Sequence, residues 1–249
     1  MSTEMEILGF ETVDSLPLLH HPGMDLIVIS DLHLGLEGSM TAEGGYVPQF
    51  QLDELLDDLR EARDSTGASR VLVNGDLKHE FSTTRYTEQR ELENFMEFLD
   101  SEFDEVIVVK GNHDTFLDSI VEKHGSFVDQ HLESGVLFVH GHRRLDDMDI
   151  EGEYDTVVIG HEHPALVLED DIGVKEKVDA FLYGETREGR NIIVMPAFSK
   201  ISGGSRVNQV PSSELLSPVL RDRVDMDSME AVAVSREAGL FEFPELEKF

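Results

Sequence analysis

The chain has 249 residues, 40% of them hydrophobic, enough for one α/β domain with a sizeable core. It contains no cysteine, which excludes disulfides and thiolate metal sites, and no apolar run approaches the roughly 18 residues of a membrane span. Acidic residues number 52 and basic residues 20, a formal charge of −32 scattered along the whole chain, with lysine scarcer than arginine. Self-repulsion of this size is damped where the Debye length falls to about 3 Å, near 1 M salt, so the surface reads as halophilic. Such a surface repels nucleic acid at low salt, and an anionic substrate then needs local positive charge such as metal ions.

In chain order, residues 1–23 form a weakly patterned lead-in. Their start, MSTEMEILGF, has no basic region before an apolar core, so no signal peptide and a cytoplasmic location are expected. Residues 25–30 (DLIVIS) read as a strand followed by DLHLG, and residues 37–48 as a glycine-rich loop. Leu52, Leu55, Leu56 and Leu59 recur at helical spacing within residues 50–62, and Gly67 stops that helix. Residues 70–73 form the next strand, followed by NGDLKHEF. Residues 82–84 supply a Ser/Thr cap for a second helix, whose buried stripe is Leu92, Phe95, Met96 and Leu99. Val106 to Val109 are an unbroken β-branched run, the pattern of a parallel strand buried on both faces, and KGNHD follows. Phe116, Leu117, Ile120 and Val121 suggest a short helix ended by Gly125.

Beyond this point the pattern becomes mostly β. Residues 135–139 precede HGH and residues 156–159 precede GHEHP. Further strands are expected at 165–168, 180–183 and 191–195, with a hairpin of 231–234 and 240–243 around Gly239, and 211–218 as loop. No long linker appears. The expectation is a single domain, residues 1–249, with a near-parallel first sheet, a second sheet richer in antiparallel pairs, and helices outside both.

Five strands therefore end in metal-capable groups: Asp31 and His33; Asp76 and His79; Asn112, His113 and Asp114; His140 and His142; His161 and His163. Each motif alone is ordinary as a turn or a cap. Together they place seven of the eleven histidines directly after apolar strands, and parallel strands converge at their C-terminal edge. Carboxylate, imidazole and one amide, with no thiolate, suit Mn²⁺, Fe²⁺ or Zn²⁺. There are too many donors for one ion. Two ions about 3.5–4 Å apart need a bridging carboxylate, and a metal-poised hydroxide facing a bound anion is a device for phosphoester hydrolysis.

D-x-H, G-D-x-x-H, G-N-H-D, H-G-H and G-H-x-H, in this order over roughly residues 25–164, resemble the calcineurin-like metallophosphoesterases. GDLKHEF, GHEHPA and YGETREGRNIIVMPAF are similar to archaeal SbcD-related phosphoesterases, consistent with a halophilic archaeal source, and to bacterial ligase-associated exonuclease relatives. The resemblance implies a four-layer α/β/β/α sandwich of two mixed sheets, with residues 165–249 completing the second sheet and adding C-terminal hairpins. It implies two divalent metal ions, Mn²⁺ first. Asp31, His33, Asp76 and His163 would hold one, and Asp76, Asn112, His140 and His161 the other, Asp76 bridging. His113 would protonate the leaving oxygen or steady its charge, and Asp114 would hold the loop beside the site. His79 stands where monoesterases of the family often carry an acid, and resembles the repair-nuclease branch instead. His142 would contact phosphate.

The implied activity is phosphodiester hydrolysis, including nuclease action on nucleotides or DNA ends. A phosphomonoesterase or nucleotide pyrophosphatase is the alternative, and a non-catalytic scaffold a more distant one. Arg143 and Arg144 either reach substrate phosphate or pair with Asp146 and Asp147. Residues 199–204 (SKISGG) resemble a segment near the site mouth, while His20, His21, His124 and His131 read as surface or loop positions. Residues after Pro164 suffice only to finish the second sheet, so no duplex-reading cap is expected, and DNA affinity would come from a partner such as a DNA-repair protein.

Overall fold

The computed structural model describes residues 4–45, 47–81, 86–169 and 172–248. Seven strands make the first sheet in chain order: β1 (Glu6–Ile7), β2 (Phe10–Thr12), β3 (Leu19–His21), β4 (Leu26–Ile29), β5 (Arg70–Asn74), β6 (Glu105–Val109) and β7 (Ser126–Val128). The pairs from β4 to β7 are parallel, and those from β1 to β4 antiparallel. The second sheet holds β8 (His131–Glu133), β9 (Val136–Phe138), β10 (Thr156–Ile159), β11 (Pro164–Glu169), β12 (Lys175–Glu185), β13 (Asn191–Val194) and β14 (Ser205–Arg206), with β15 (Glu230–Ser235) and β16 (Gly239–Phe243) joined through β12. Its β9, β10 and β13 are parallel, and its hairpins antiparallel.

Side-chain alternation builds the layers. Ile27, Ile29, Val71, Val73, Val106 and Val108 face α2 (Gln51–Thr66), α3 (Tyr86–Glu102) and the short α4 (Asp118–Val121). Leu26, Val28, Leu72, Ile107 and Val109 point the other way, onto Phe138, Val158, Phe181 and Ile193 of the second sheet. Burial on both faces is why these strands read as unbroken apolar runs. The outer face of the second sheet is covered by α5 (Pro218–Arg223), through Val219 and Leu220, and by Leu215 and Met226 from adjoining short turns. The four-layer α/β/β/α sandwich of two mixed sheets is thus present, its last layer thin.

Several elements differ from the sequence expectation. The weakly patterned lead-in forms three short strands, since two- and three-residue strands carry too little alternation to show a period. It makes the edge of the first sheet antiparallel, and it buries His20 within a strand, a residue read as a surface or loop position. Residues 37–48 are not all loop, since Leu36–Ala42 is helical (α1). Its buried Glu37 accepts the Phe50 and Gln51 backbone N–H groups at 2.9 and 3.0 Å, capping α2 from outside, where a carboxylate also suits the positive helix end. Gly67 ends α2 in the left-handed conformation, as expected. The 82–84 cap lies outside the described residues. Phe116 lies outside α4 and is 76% exposed, not part of a buried stripe. No helix among the described residues is long and apolar enough to cross a membrane.

Candidate metal centre

The C-terminal ends of β4, β5 and β6 lie side by side, as do those of β9 and β10, and the five polar turns meet between the sheets. They share one backbone feature. Asp31 (φ 57°), His33 (φ 50°), Asp76 (φ 52°), His161 (φ 66°) and His163 (φ 47°) all occupy the left-handed region. That conformation costs a non-glycine residue about 1–2 kcal/mol, so other bonds must hold it. Asp31 donates its N–H to Gly75 O and His33 to Asp76 O, both at 3.0 Å, lacing the first two turns together past the end of the ladder. His161 N–H donates to the Asp31 carboxylate at 3.0 Å, crossing from one sheet to the other. Two glycines let the carboxylates pass. A Cβ on Gly111 would lie 2.2 Å from Asp76 Oδ1, and one on Gly160 would lie 2.4 Å from Asp31 Oδ2.

Three groups of ligand atoms result, each with all members within 4.8 Å: Asp31, His33 and His163; Asp76, His140 and His161; His33, His79 and His113. In the first, His163 Nε2 is 2.9 Å from Asp31 Oδ1 and 3.3 Å from His33 Nε2. In the second, His140 Nε2 is 3.2 Å from Asp76 Oδ2. Asp76 Oδ2 also lies 4.0 Å from His33 Nε2, which joins the two groups. Asn112 Oδ1 is buried and has no hydrogen-bond partner among the described residues.

The electrostatics call for cations. Asp31 and Asp76 are buried. Burial alone would raise both carboxyls, but His163 and His140 around Asp31, and His140, His113 and His33 around Asp76, hold them below the ordinary carboxylate range. Burial opposes a charge on His140, yet Asp76 and Asp31 outweigh it and push that ring up to about 9. His33 and His161 go the other way, chiefly through burial, to about 3 and about 4. Two buried carboxylates among four converging imidazoles, with an orphaned amide oxygen beside them, fit oxygen- and nitrogen-ligated divalent ions.

Ring orientation is fixed from behind, as it is for metal-ligating histidines. His140 Nδ1 donates to Asn74 O at 2.9 Å, which turns Nε2 toward Asp76. His163 Nδ1 pairs with Ser202 Oγ at 3.1 Å, so the SKISGG segment touches the site, as its resemblance implied. His113 Nδ1 bonds the His79 carbonyl, leaving Nε2 3.8 Å from Asp76 Oδ2. The His79 ring stacks over His113 with centroids 5.8 Å apart and meets His33 edge-on. Asp114 accepts the Leu77 N–H at 2.8 Å and the Gly111 N–H at 2.9 Å, tying two turns together. Burial and the nearby Asp76 raise its carboxyl to about 6.

His142 is set apart, its ring 5.4 Å from that of His140, and it lines a cavity of about 200 Å³ with Lys110, Thr115, Asp129 and Arg143. Burial, then the charge of His140, lowers it to about 4. Arg143 donates to the Asp147 backbone carbonyl, while Arg144 pairs with Asp222 rather than with Asp146 or Asp147. Lys78 is fully buried and donates to Glu80 O.

Three residues escaped sequence reasoning. Asn74 donates its side-chain amide to Val139 O and Val158 O at 3.1 and 3.2 Å, fastening the sheets under the site. Ser30 donates to Asp31 Oδ2 at 2.6 Å. Glu162, inside GHEHP, accepts the Ser217 N–H at 2.8 Å, and burial raises its carboxyl. A polar residue closing an apolar strand, as in VLVN, was the one available signal.

Residues 24–184 match the model of the calcineurin-like phosphoesterase family. Nuclease MPE of Pseudomonas putida superposes with a TM-score of 0.64 at 15% identity, covering 98% of this chain and 100% of that one, and so shares its fold. Yfce, a phosphoesterase from E. coli, gives a TM-score of 0.43 at 18% identity, covering 88% of this chain and 98% of that one. Among curated proteins, none matches the chain with significance.

Proposed function

The chain belongs to the calcineurin-like phosphoesterase family and is a metal-dependent hydrolase, and on that premise we propose that it cleaves phosphodiesters, acting as a nuclease on nucleotides or DNA ends. Asp31, His33, Asp76 and His163 would hold one divalent ion, and Asp76, Asn112, His140 and His161 a second, with Mn²⁺ placed first among the ions, Fe²⁺ and Zn²⁺ included, that mixed carboxylate, imidazole and amide donors without thiolate suit. When bound, the pair supplies an activated water and neutralises the phosphoryl oxygens.

The remaining work falls to the chain itself. The His79 carbonyl fixes the His113 ring through Nδ1 and leaves Nε2 facing the centre. As an imidazolium, His113 hands the Nε2 proton to the departing alkoxide, a step typically worth about 10²–10⁴-fold. Lys110, His142 and Arg143 line the adjoining cavity and offer N–H donors to a phosphate oxygen. In a surface of such negative charge, that cluster and the ions are what hold the substrate. DNA affinity beyond this comes from a partner protein, and the enzyme works in molar salt.

The observation that carries the diester reading is the third group, His33, His79 and His113. It places a second imidazole, rather than a carboxylate, beside the proton donor. Hydrolysis of bis-p-nitrophenyl phosphate and of the monoester, with Mn²⁺ added, tests it. The diester should be turned over faster, and hydrolysis of the monoester alone overturns the reading.

A further inference from the structure

Two exposed aromatic residues, Phe81 over the His113 ring and Phe116 three residues after it in the chain, have no part in the hydrolytic step. Phe116 is 76% exposed, the most exposed phenylalanine among the described residues, and its backbone is left-handed (φ 65°), an outlier for a bulky residue. It is held there between Thr115 and the fully buried Leu117. Phe81 is 53% exposed, and its ring lies over that of His113, centroids 3.6 Å apart and tilted by 34°.

The two segments are locked together. The Thr115 hydroxyl donates to Phe81 O, His113 Nδ1 bonds the His79 carbonyl, and Asp114 accepts N–H groups from Leu77 and Lys78. Phe81 and Phe116 are therefore carried on two segments fixed to each other, one of which bears His113. An apolar core has no use for a ring held outward at a conformational cost, and strain that holds a side chain toward solvent beside a reaction centre points to a ligand.

The charge of the chain narrows what that ligand is. A surface at −32 cannot grip a phosphate backbone along its length, and molar salt would weaken such a grip further. Stacking on an aromatic face depends on neither, and it requires a base that is not already stacked in a duplex. We propose that Phe116 and Phe81 form a base-stacking rim that selects single-stranded nucleic acid, including frayed ends, as the diester substrate. The proposal rests on the diester reading above and adds the base to it.

The test compares binding of a short oligothymidylate with that of an abasic strand of equal length. Both are phosphorothioate-linked to slow cleavage, and binding to the Mn²⁺-loaded protein is read by fluorescence anisotropy in molar KCl. The parent should bind the base-bearing strand at least about 5-fold more tightly, the lower limit expected for stacking a single base. Phe116→Ala and Phe81→Ala should each pull that ratio toward one, Phe116→Leu should do the same, and Phe116→Tyr should keep it. Since Phe116 is exposed, its replacement leaves the core intact. A parent that binds both strands equally, or a Phe116→Ala protein that keeps the full preference, overturns the proposal. Turnover of bis-p-nitrophenyl phosphate by the same preparation is scored separately: base preference without turnover supports the rim and removes the diester reading alone.

Discussion

Replacing Gly111 by alanine tests whether the close packing of the two carboxylate turns sets activity. The new Cβ would lie 2.2 Å from Asp76 Oδ1 and 2.3 Å from the Asp76 backbone nitrogen, so Asp76 must retreat by about 0.8 Å even to reach 3.0 Å. Neither side yields easily. Gly111 donates its N–H to Asp114 Oδ2 at 2.9 Å, and Lys110 donates to Val128 O at 2.8 Å. Asp76 Oδ1 in turn accepts the His113 N–H at 2.9 Å. Overpacking of this kind costs about 1–3 kcal/mol of stability. A shift approaching an ångström in the residue shared by two donor groups costs about 10²-fold in rate. Urea unfolding would read the first effect, and kcat on bis-p-nitrophenyl phosphate at saturating Mn²⁺ the second. A Gly111→Ala protein with parental kcat and parental Mn²⁺ affinity would refute the reasoning.

Other substitutions separate metal holding from proton handling. Asp76→Ala should lose both ions, seen by titration calorimetry as the disappearance of tight Mn²⁺ binding. His113→Ala should bind Mn²⁺ like the parent yet lose about 10²–10⁴-fold in kcat, so weakened metal binding there would count against its role. At the opposite end of the sheets, Arg70 binds Glu133 through two bonds of 2.8 and 2.9 Å, joining the first sheet to the second. The hydrogen bonds from Arg70 hold the Glu133 carboxyl down to about 2. A depressed acid contributes stability that is complete above its ordinary value near 4.5 and is lost as pH falls toward 2. Glu133→Gln should therefore destabilise by about 1–3 kcal/mol at pH 7 and by almost nothing near pH 2, measured as the difference between parent and variant urea curves. An equal difference at both pH values would exclude this pairing as its source.

The strands that carry the centre were legible in the sequence because they are buried on both faces. Val106 to Val109 and their neighbours have no polar side to interrupt the run, and each run ends in an abrupt polar turn. The turns' contents were legible for the same reason: Asp31, Asp76 and six of the histidines lie in three close groups, while His142 stands apart from them. What holds them was not. The role of Asn74 depends on carbonyls 65 and 84 residues away, and no local pattern encodes a contact of that span. The left-handed backbone at Asp31 and His163 follows from hydrogen bonds between turns, not from residue type. The lead-in strands were invisible because two or three residues show no period, and α1 because a glycine-bearing heptapeptide reads as loop. Phe116 was misread because its spacing to Ile120 mimics a helical face, whereas the chain enters α4 only at Asp118.

The most direct measurement is the ratio of kcat/KM for bis-p-nitrophenyl phosphate to that for the monoester, taken in molar KCl after chelation and again as Mn²⁺ is restored. A two-ion phosphodiesterase predicts no turnover of either ester by the stripped protein. Diester activity should then rise to a plateau near two Mn²⁺ per chain, with the ratio above one. Turnover that survives chelation, or a plateau reached with the monoester alone, would contradict it.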